Sequence, residues 1–214
     1  MTSARHPLVV FDLDGTISDP LVGIGRSINY ALASIGHAEL ELSELGAYIG
    51  PPLDETFGQL VGVKAQAEID GLVAKYRERY ADVGYAENVM YPGVAQVLER
   101  LRERGIRLGV CTSKRSDFAE QILEMFAVRR HFAFVSGGEI GTPKWRQLEA
   151  LVAVGEVTTD TVMVGDRAID LQAAHKNGLH AAAVLWGYGS ADELSRERPR
   201  YAFSTPPEIL QLTD

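Results

Sequence analysis

Along the 214-residue chain, apolar positions fall into two kinds of segment. Short apolar runs at Leu8 to Phe11, Arg107 to Cys111, Ala133 to Ser136, Val162 to Val164 and Ala181 to Leu185 predict buried strands. Tyr201 to Ser204 predicts a short last strand. Between them the period lengthens to that of a helix. Val94, Val97, Leu98 and Leu101 share one face of a helix over Val94 to Arg104, which Gly105 stops. Phe118, Ile122 and either Met125 or Phe126 mark the buried face of a helix over Asp117 to Phe126. Leu171, Ala174 and His175 do the same over Ile169 to Asn177, ending at Gly178. Strands alternating with helices predict an α/β protein with a parallel sheet.

One stretch breaks the alternation. Between Asp19 and about Val89 no strand pattern appears, and a structureless loop of that length does not belong inside a compact domain. Helical patterns occupy it instead, at Leu21 to Ile35, Leu53 to Val61 and Ala65 to Tyr85. Their breaks are Gly36, Gly50-Pro51-Pro52 and Gly62, and Pro92-Gly93 marks the return. The expected organisation is therefore a sheet domain from residues 1–18 and 90–214, with a helical insertion at 19–89.

Composition narrows the function classes. Hydrophobic residues at 46% and charged residues at 23% are ordinary globular values. A net charge of −8, from 21 basic and 29 acidic residues, argues against a nucleic-acid polymer or an anionic membrane as partner. It leaves phosphorylated small molecules open, because a few cations in a cleft outweigh a distant acidic surface. A lone cysteine, Cys111, excludes an intrachain disulfide and reads as a buried small hydrophobe. No membrane-spanning run and no signal-peptide pattern is visible, so a cytoplasmic location is expected. The five histidines are scattered without metal-ligand spacing and read as surface or packed imidazoles.

The chemistry concentrates at strand ends. Phe11 to Thr16 reads FDLDGT, which puts Asp12 and Asp14 at the mouth of the sheet once the chain turns at Gly15. Two carboxylates so placed repel each other unless a cation or a proton lies between them. A turn that merely caps the following helix would use the same residues, so the motif alone does not decide. Three more groups follow in order. Leu108 to Ser113 (LGVCTS) is an apolar run ending in hydroxyls at Thr112 and Ser113. Pro143 and Lys144 open a helical stretch, and Thr161 to Val164 leads into GDRAID with Asp166 and Asp170.

In that order and combination these groups resemble the haloacid dehalogenase superfamily, over nearly the whole chain. The resemblance implies a Rossmann-like parallel sheet with an inserted α-helical cap, and a magnesium-dependent phosphatase working through an aspartyl-phosphate. Asp12 would be the nucleophile, and Asp14 the acid for the leaving group and then the base for water. Mg2+ would be held by Asp12, the backbone carbonyl of Asp14, and Asp166. Thr112 and the backbone around Ser113 would bind phosphoryl oxygens, and Lys144 would neutralise one of them and restrain Asp12. Asp170 would orient Lys144 or a metal-bound water. Lys114 and Arg167 are left outside the site.

Trp186 to Gly189 (WGYG), Asn177-Gly178 and Tyr48 to Leu53 (YIGPPL) look like the branch of phosphoglycolate phosphatases and bacterial 5'-nucleotidase-like proteins. A phosphoglycolate phosphatase-like activity on a small phosphate ester is the expectation, with a 5'-nucleotidase as the alternative. A sugar-phosphate mutase or a non-catalytic metabolite-binding module follows behind. Asp14 and Asp166 speak against a dehalogenase, which needs neither a metal nor a second aspartate. Arg26, Tyr30, Gly50 and Pro51 are candidates for setting specificity from the cap, in a monomer or a homodimer.

Overall fold

The computed structural model describes residues 6–62, 65–138 and 142–213. Its first elements are β1 (Leu8–Phe11), β2 (Ser18–Asp19), α1 (Leu21–Ala33), α2 (Leu42–Leu45), α3 (Leu53–Val61), α4 (Gln66–Asp82), β3 (Val89–Met90) and α5 (Val94–Glu103). Then come β4 (Arg107–Cys111), α6 (Ser116–Met125), β5 (Phe134–Ser136), α7 (Lys144–Ala153), β6 (Val162–Gly165) and α8 (Ala168–Lys176). The last are β7 (His180–Val184), α9 (Ala191–Arg196) and β8 (Tyr201–Phe203).

Six strands form one parallel sheet in the order β5-β4-β1-β6-β7-β8. From β1 the chain builds outward through β4 and β5, then restarts on the other side of β1 with β6. The strand order reverses between β1 and β6, where an open α/β sheet leaves a crevice at the carboxyl ends of its strands. Phe11 pairs with Val164 of β6, and the Asp12 N–H donates to the Val164 carbonyl at 2.9 Å. Register thus delivers Asp12 and Asp166 from neighbouring strands to that crevice.

Val9, Val10 and Phe11 are all buried, as a strand covered on both faces requires. Leu8, Val10, Met163 and Ala181 meet Leu148 of α7 and Leu171 and Ala174 of α8 in one apolar cluster. Helix α5 buries the four residues its period marked. On α6 the buried face is Phe118, Ala119, Ile122 and Leu123, so Met125 turns out to solvent and Phe126 is half-buried. His175 departs from expectation as well. One residue past Ala174 the helix has turned about 100°, leaving His175 exposed with Nε2 donating to the Glu197 carbonyl at 2.8 Å.

The chain divides into two compact units, residues 1–19 with 90–214, and residues 20–89. In the second unit α1 and α3 both pack on α4. Helix α1 buries Ile24, Ile28, Ala31 and Leu32, and α4 buries Ile69, Leu72, Tyr76 and Tyr80. Tyr76 stacks on Tyr80 at 5.4 Å and meets Phe57 edge-on at 6.4 Å, a geometry that adds to simple burial.

Candidate active site

Asp12 is the first residue beyond β1 and is 7% exposed. The turn after it is tight: the Leu13 carbonyl accepts from the N–H groups of Ile17 at 2.9 Å and Ser18 at 3.0 Å. Gly15 sits within it at φ +83°, and a Cβ there would lie 2.1 Å from Asp166 Oδ2. The loop after β7 closes on Asp166 from another side, for a Cβ on Gly187 would lie 2.4 Å from the same oxygen. Asp166 is therefore seated between two stretches of backbone that must lack side chains. Its Oδ1 accepts from the Thr16 hydroxyl at 3.0 Å, and its Oδ2 from the Tyr188 N–H at 2.8 Å. The Trp186 indole N–H donates to the Thr16 carbonyl at 3.1 Å, tying that loop to the FDLDGT turn.

Lys144 opens α7 and is buried. Its ammonium lies 2.9 Å from Asp12 Oδ1 and donates a hydrogen bond to Asp170 Oδ1. The other Asp170 oxygen accepts the Arg167 N–H at 3.0 Å, capping the start of α8. Burial opposes the charge on Lys144, but Asp12 and Asp170 outweigh it and hold the amine above the ordinary lysine range. Burial raises both Asp166 and Asp170; the charge of Asp12 raises both further, and Lys144 pulls Asp170 back.

Asp14 is raised by burial too, with Lys114 as the chief opposing charge. The Lys114 ammonium stands 2.8 Å from Asp14 Oδ2, and its side chain is 7% exposed. Lys114 belongs among the residues at the site, contrary to the sequence expectation. Its position just after Thr112 and Ser113 was the one available hint. Thr112 is buried, donates its N–H to Ser136 at 2.9 Å and accepts the Lys114 N–H on Oγ1 at 3.3 Å, while Ser113 is exposed. Arg167 turns its guanidinium to Glu193 at 3.0 Å. The Cys111 thiol is buried, pushed up to about 12 by that burial, and contacts Gln147 Oε1 at 3.6 Å, the setting of a packing residue.

The candidates from the insertion lie in the 20–89 unit. Arg26 donates to Glu87 at 2.7 Å and the Tyr30 hydroxyl donates to Glu78 at 2.6 Å, both with exposed side chains. Gly50 is exposed at φ +103° and Pro51 is half-buried.

Among the described residues, carboxylate oxygens of Asp12, Asp166 and Asp170 come within 4.8 Å of one another. Neither Asp12 Oδ1, despite its ion pair with Lys144, nor Asp14 Oδ1 finds a hydrogen-bond donor among the described residues, and both are buried. A buried acidic group with unsatisfied oxygens fits a hard divalent cation, which takes oxygen ligands.

Acidic residues thus gather at the crevice of a parallel sheet, with Lys144 buried and Lys114 half-buried beside them. The chain belongs to the haloacid dehalogenase-like hydrolase family, whose family model matches residues 9–184. A 5'-nucleotidase of Pseudomonas aeruginosa is 39% identical over 201 residues, covering 92% of this chain and 90% of that protein. The tyrosine-protein kinase PtkA of Mycobacterium tuberculosis is 37% identical over 88% of this chain, which spans 65% of that protein. A phosphoglycolate phosphatase of Aliivibrio fischeri is 30% identical over 90% of this chain and 89% of its own length. Among solved structures, a putative phosphatase from Clostridium difficile superposes with a TM-score of 0.89 at 35% identity, covering 99% of this chain and 100% of that one. Family, relatives and fold together make the protein a phosphatase.

Proposed function

We propose that this phosphatase hydrolyses a small-molecule phosphate monoester in two steps through an aspartyl-phosphate on Asp12. The observation that carries the reading is the Asp12 carboxylate, buried at a strand end and held by Lys144 with Asp14 two residues on. An Asp12 oxygen bonds to phosphorus, the ester P–O bond breaks, and the leaving oxygen takes a proton from Asp14. Burial favours the protonated form of Asp14 that this step needs. Asp14 then takes a proton from a water molecule, whose oxygen bonds to phosphorus as the Asp12–phosphorus bond breaks. Inorganic phosphate leaves and Asp12 is regenerated.

Thr112 and the backbone at Ser113 hold phosphoryl oxygens, while Lys144 offsets their charge and fixes Asp12. Asp170 fixes Lys144 in turn, by the hydrogen bond it accepts. Asp12, the Asp14 carbonyl and Asp166 would hold Mg2+, which when bound neutralises charge that would otherwise repel a phosphate dianion. Residues 20–89 serve as the cap that selects the leaving group, with Arg26, Tyr30, Gly50 and Pro51 as its contributors. No helix among the described residues is long and apolar enough to cross a membrane, and the proposed location is the cytoplasm.

2-Phosphoglycolate is the leading substrate. Nucleoside 5'-monophosphates are the second reading, favoured by the relative at 39% identity that is named a 5'-nucleotidase. A panel of phosphate monoesters assayed with magnesium separates them: higher kcat/KM for phosphoglycolate supports the first, and higher kcat/KM for nucleotides the second. No turnover of any member contradicts both.

A further inference from the structure

We propose that Tyr188 is a positioning residue for the metal site: its backbone seats Asp166, and its hydroxyl ties that seat through Asp19 to the turn that carries Asp14. This deepens the reading of a Mg2+ site on Asp12, the Asp14 carbonyl and Asp166, and rests on it.

The loop after β7 meets Asp166 with bare backbone on either side of Tyr188. A Cβ on Gly187 would lie 2.4 Å from Asp166 Oδ2, and one on Gly189 would lie 2.0 Å from the Asp166 carbonyl oxygen. So close an approach requires glycine at both positions. Glycine also leaves the chain its widest conformational freedom, so these two residues hold the peptide between them poorly. Yet that peptide has a definite task, since the Tyr188 N–H donates to Asp166 Oδ2 at 2.8 Å. Tyr188 carries the one side chain in the three-residue stretch, and it supplies the anchor that its neighbours lack.

The half-buried Tyr188 side chain donates its hydroxyl to Asp19 and also hydrogen-bonds with Tyr91. Both partners adjoin residues pinned to the FDLDGT turn. The Ser18 carbonyl, next to Asp19, accepts the Gly15 N–H at 2.7 Å. The Tyr91 N–H donates to the Ile17 carbonyl at 3.1 Å. The connection therefore runs from Asp166 through Tyr188 and Asp19 to Ser18, and from there to Gly15 beside Asp14. Two of the proposed metal donors, on neighbouring strands, are spanned by a single residue.

Such a span bears on which cation fits. Mg2+ demands near-ideal octahedral spacing of its oxygens, whereas Ca2+ accepts a looser and more variable set. Cutting the span should cost Mg2+ more than Ca2+.

The test measures Mg2+ and Ca2+ affinities by calorimetry on substrate-free protein, wild type against Tyr188→Phe, with circular dichroism confirming the fold. Phe keeps the ring and the backbone N–H and removes only the hydroxyl. Mg2+ affinity should fall about tenfold, the scale typical of lost partners behind metal ligands. The ratio of Mg2+ to Ca2+ affinity should fall with it, which a merely structural role would not move. Asp19→Asn and Asp19→Ala lose the same charge, but only Asn keeps an acceptor for the hydroxyl, so Asn should bind Mg2+ more tightly than Ala. In the Tyr188→Phe background that difference should vanish, as it must if the two residues act through one contact. The single Asp19 variants keep the proposal testable if Tyr188→Phe fails to fold. Unchanged Mg2+ affinity in Tyr188→Phe, equal losses for both cations, or equal affinities in Asp19→Asn and Asp19→Ala would overturn the proposal and leave the metal site standing. Wild type that binds no Mg2+ would overturn the metal site itself, and the proposal with it.

Discussion

Lys144 Nζ stands 2.9 Å from Asp12 Oδ1 while donating to Asp170, so one buried ammonium joins the end of β1 to the first turn of α8. Removing one partner of a buried ion pair leaves the other charge stranded, at a typical cost of about 3–5 kcal/mol. Lys144→Met is therefore expected to lose turnover and stability together, which denaturant unfolding beside steady-state kinetics would detect. A variant as stable as wild type would mean that the lysine offsets little of the negative charge around it.

That cation faces more carboxylate than it can balance. Asp12, Asp166 and Asp170 lie close together, and Asp14 follows on the same turn. Thorough chelation should abolish hydrolysis, and Mg2+ should restore it. A ligand that binds only the folded state also raises stability in proportion to its concentration over Kd, so Mg2+ should raise Tm in the absence of substrate. Asp166→Asn should weaken Mg2+ binding measured by calorimetry. Undiminished turnover after chelation, or no thermal response to Mg2+, would contradict the metal assignment.

The seat of Asp166 offers a separate handle. A Cβ added at Gly187 would lie 2.4 Å from Asp166 Cβ and Oδ2, closer than any relaxed contact. Gly187→Ala must push the carboxylate or the loop aside, an overpacking change of about 1–3 kcal/mol. The expected outcome is a folded protein with weakened Mg2+ affinity and kcat lowered about tenfold or more. Unchanged kinetics would show that the close fit is without consequence for the reaction.

Much of this arrangement was legible in the sequence. Continuous apolar runs revealed the sheet strands because strands covered on both faces admit little polar interruption. The end of each run then pointed to Asp12, Thr112 and Asp166. Lys114 was hinted at only by its place just after Thr112 and Ser113: its partner Asp14 is a hundred residues away, and nothing local says that the loop after β4 folds back on the first turn. His175 was misread because the apolar stripe of α8 is narrow, and Ala173 rather than His175 completes its buried face. The small elements α2 and α9 also escaped, since a helix of one or two turns shows too little period to read.

Within the 20–89 unit, Glu87 accepts from Arg79 at 2.9 and 3.1 Å and from Arg26 at 2.7 Å. The Arg79 hydrogen bonds lead in holding its carboxyl below the usual glutamate range. A carboxyl depressed in the folded state contributes stability that is fully present above its unfolded value of about 4.3 and is lost as pH falls through the folded one. Glu87→Gln should lower Tm at pH 7 and shrink the gap to wild type in acid. An equal Tm difference at both pH values would contradict the pairing.

Arg26 and Tyr30 belong to the same unit and are expected to act on substrate choice. Arg26→Ala and Tyr30→Phe should change the ratio of kcat/KM for phosphoglycolate to that for nucleotides while leaving Mg2+ dependence as it was. An unchanged ratio would move specificity to the Trp186–Gly189 loop.

Covalent chemistry at Asp12 has the most direct test. Enzyme turning over substrate is quenched in acid and digested, and the peptide containing Asp12 is analysed by mass spectrometry. A phosphoryl group should be found on Asp12 in wild type and be missing in Asp12→Asn, which should keep its fold and lose turnover because an amide has the shape of the carboxylate but is no nucleophile. Sustained hydrolysis by Asp12→Asn, with no adduct on the wild-type peptide, would contradict the mechanism.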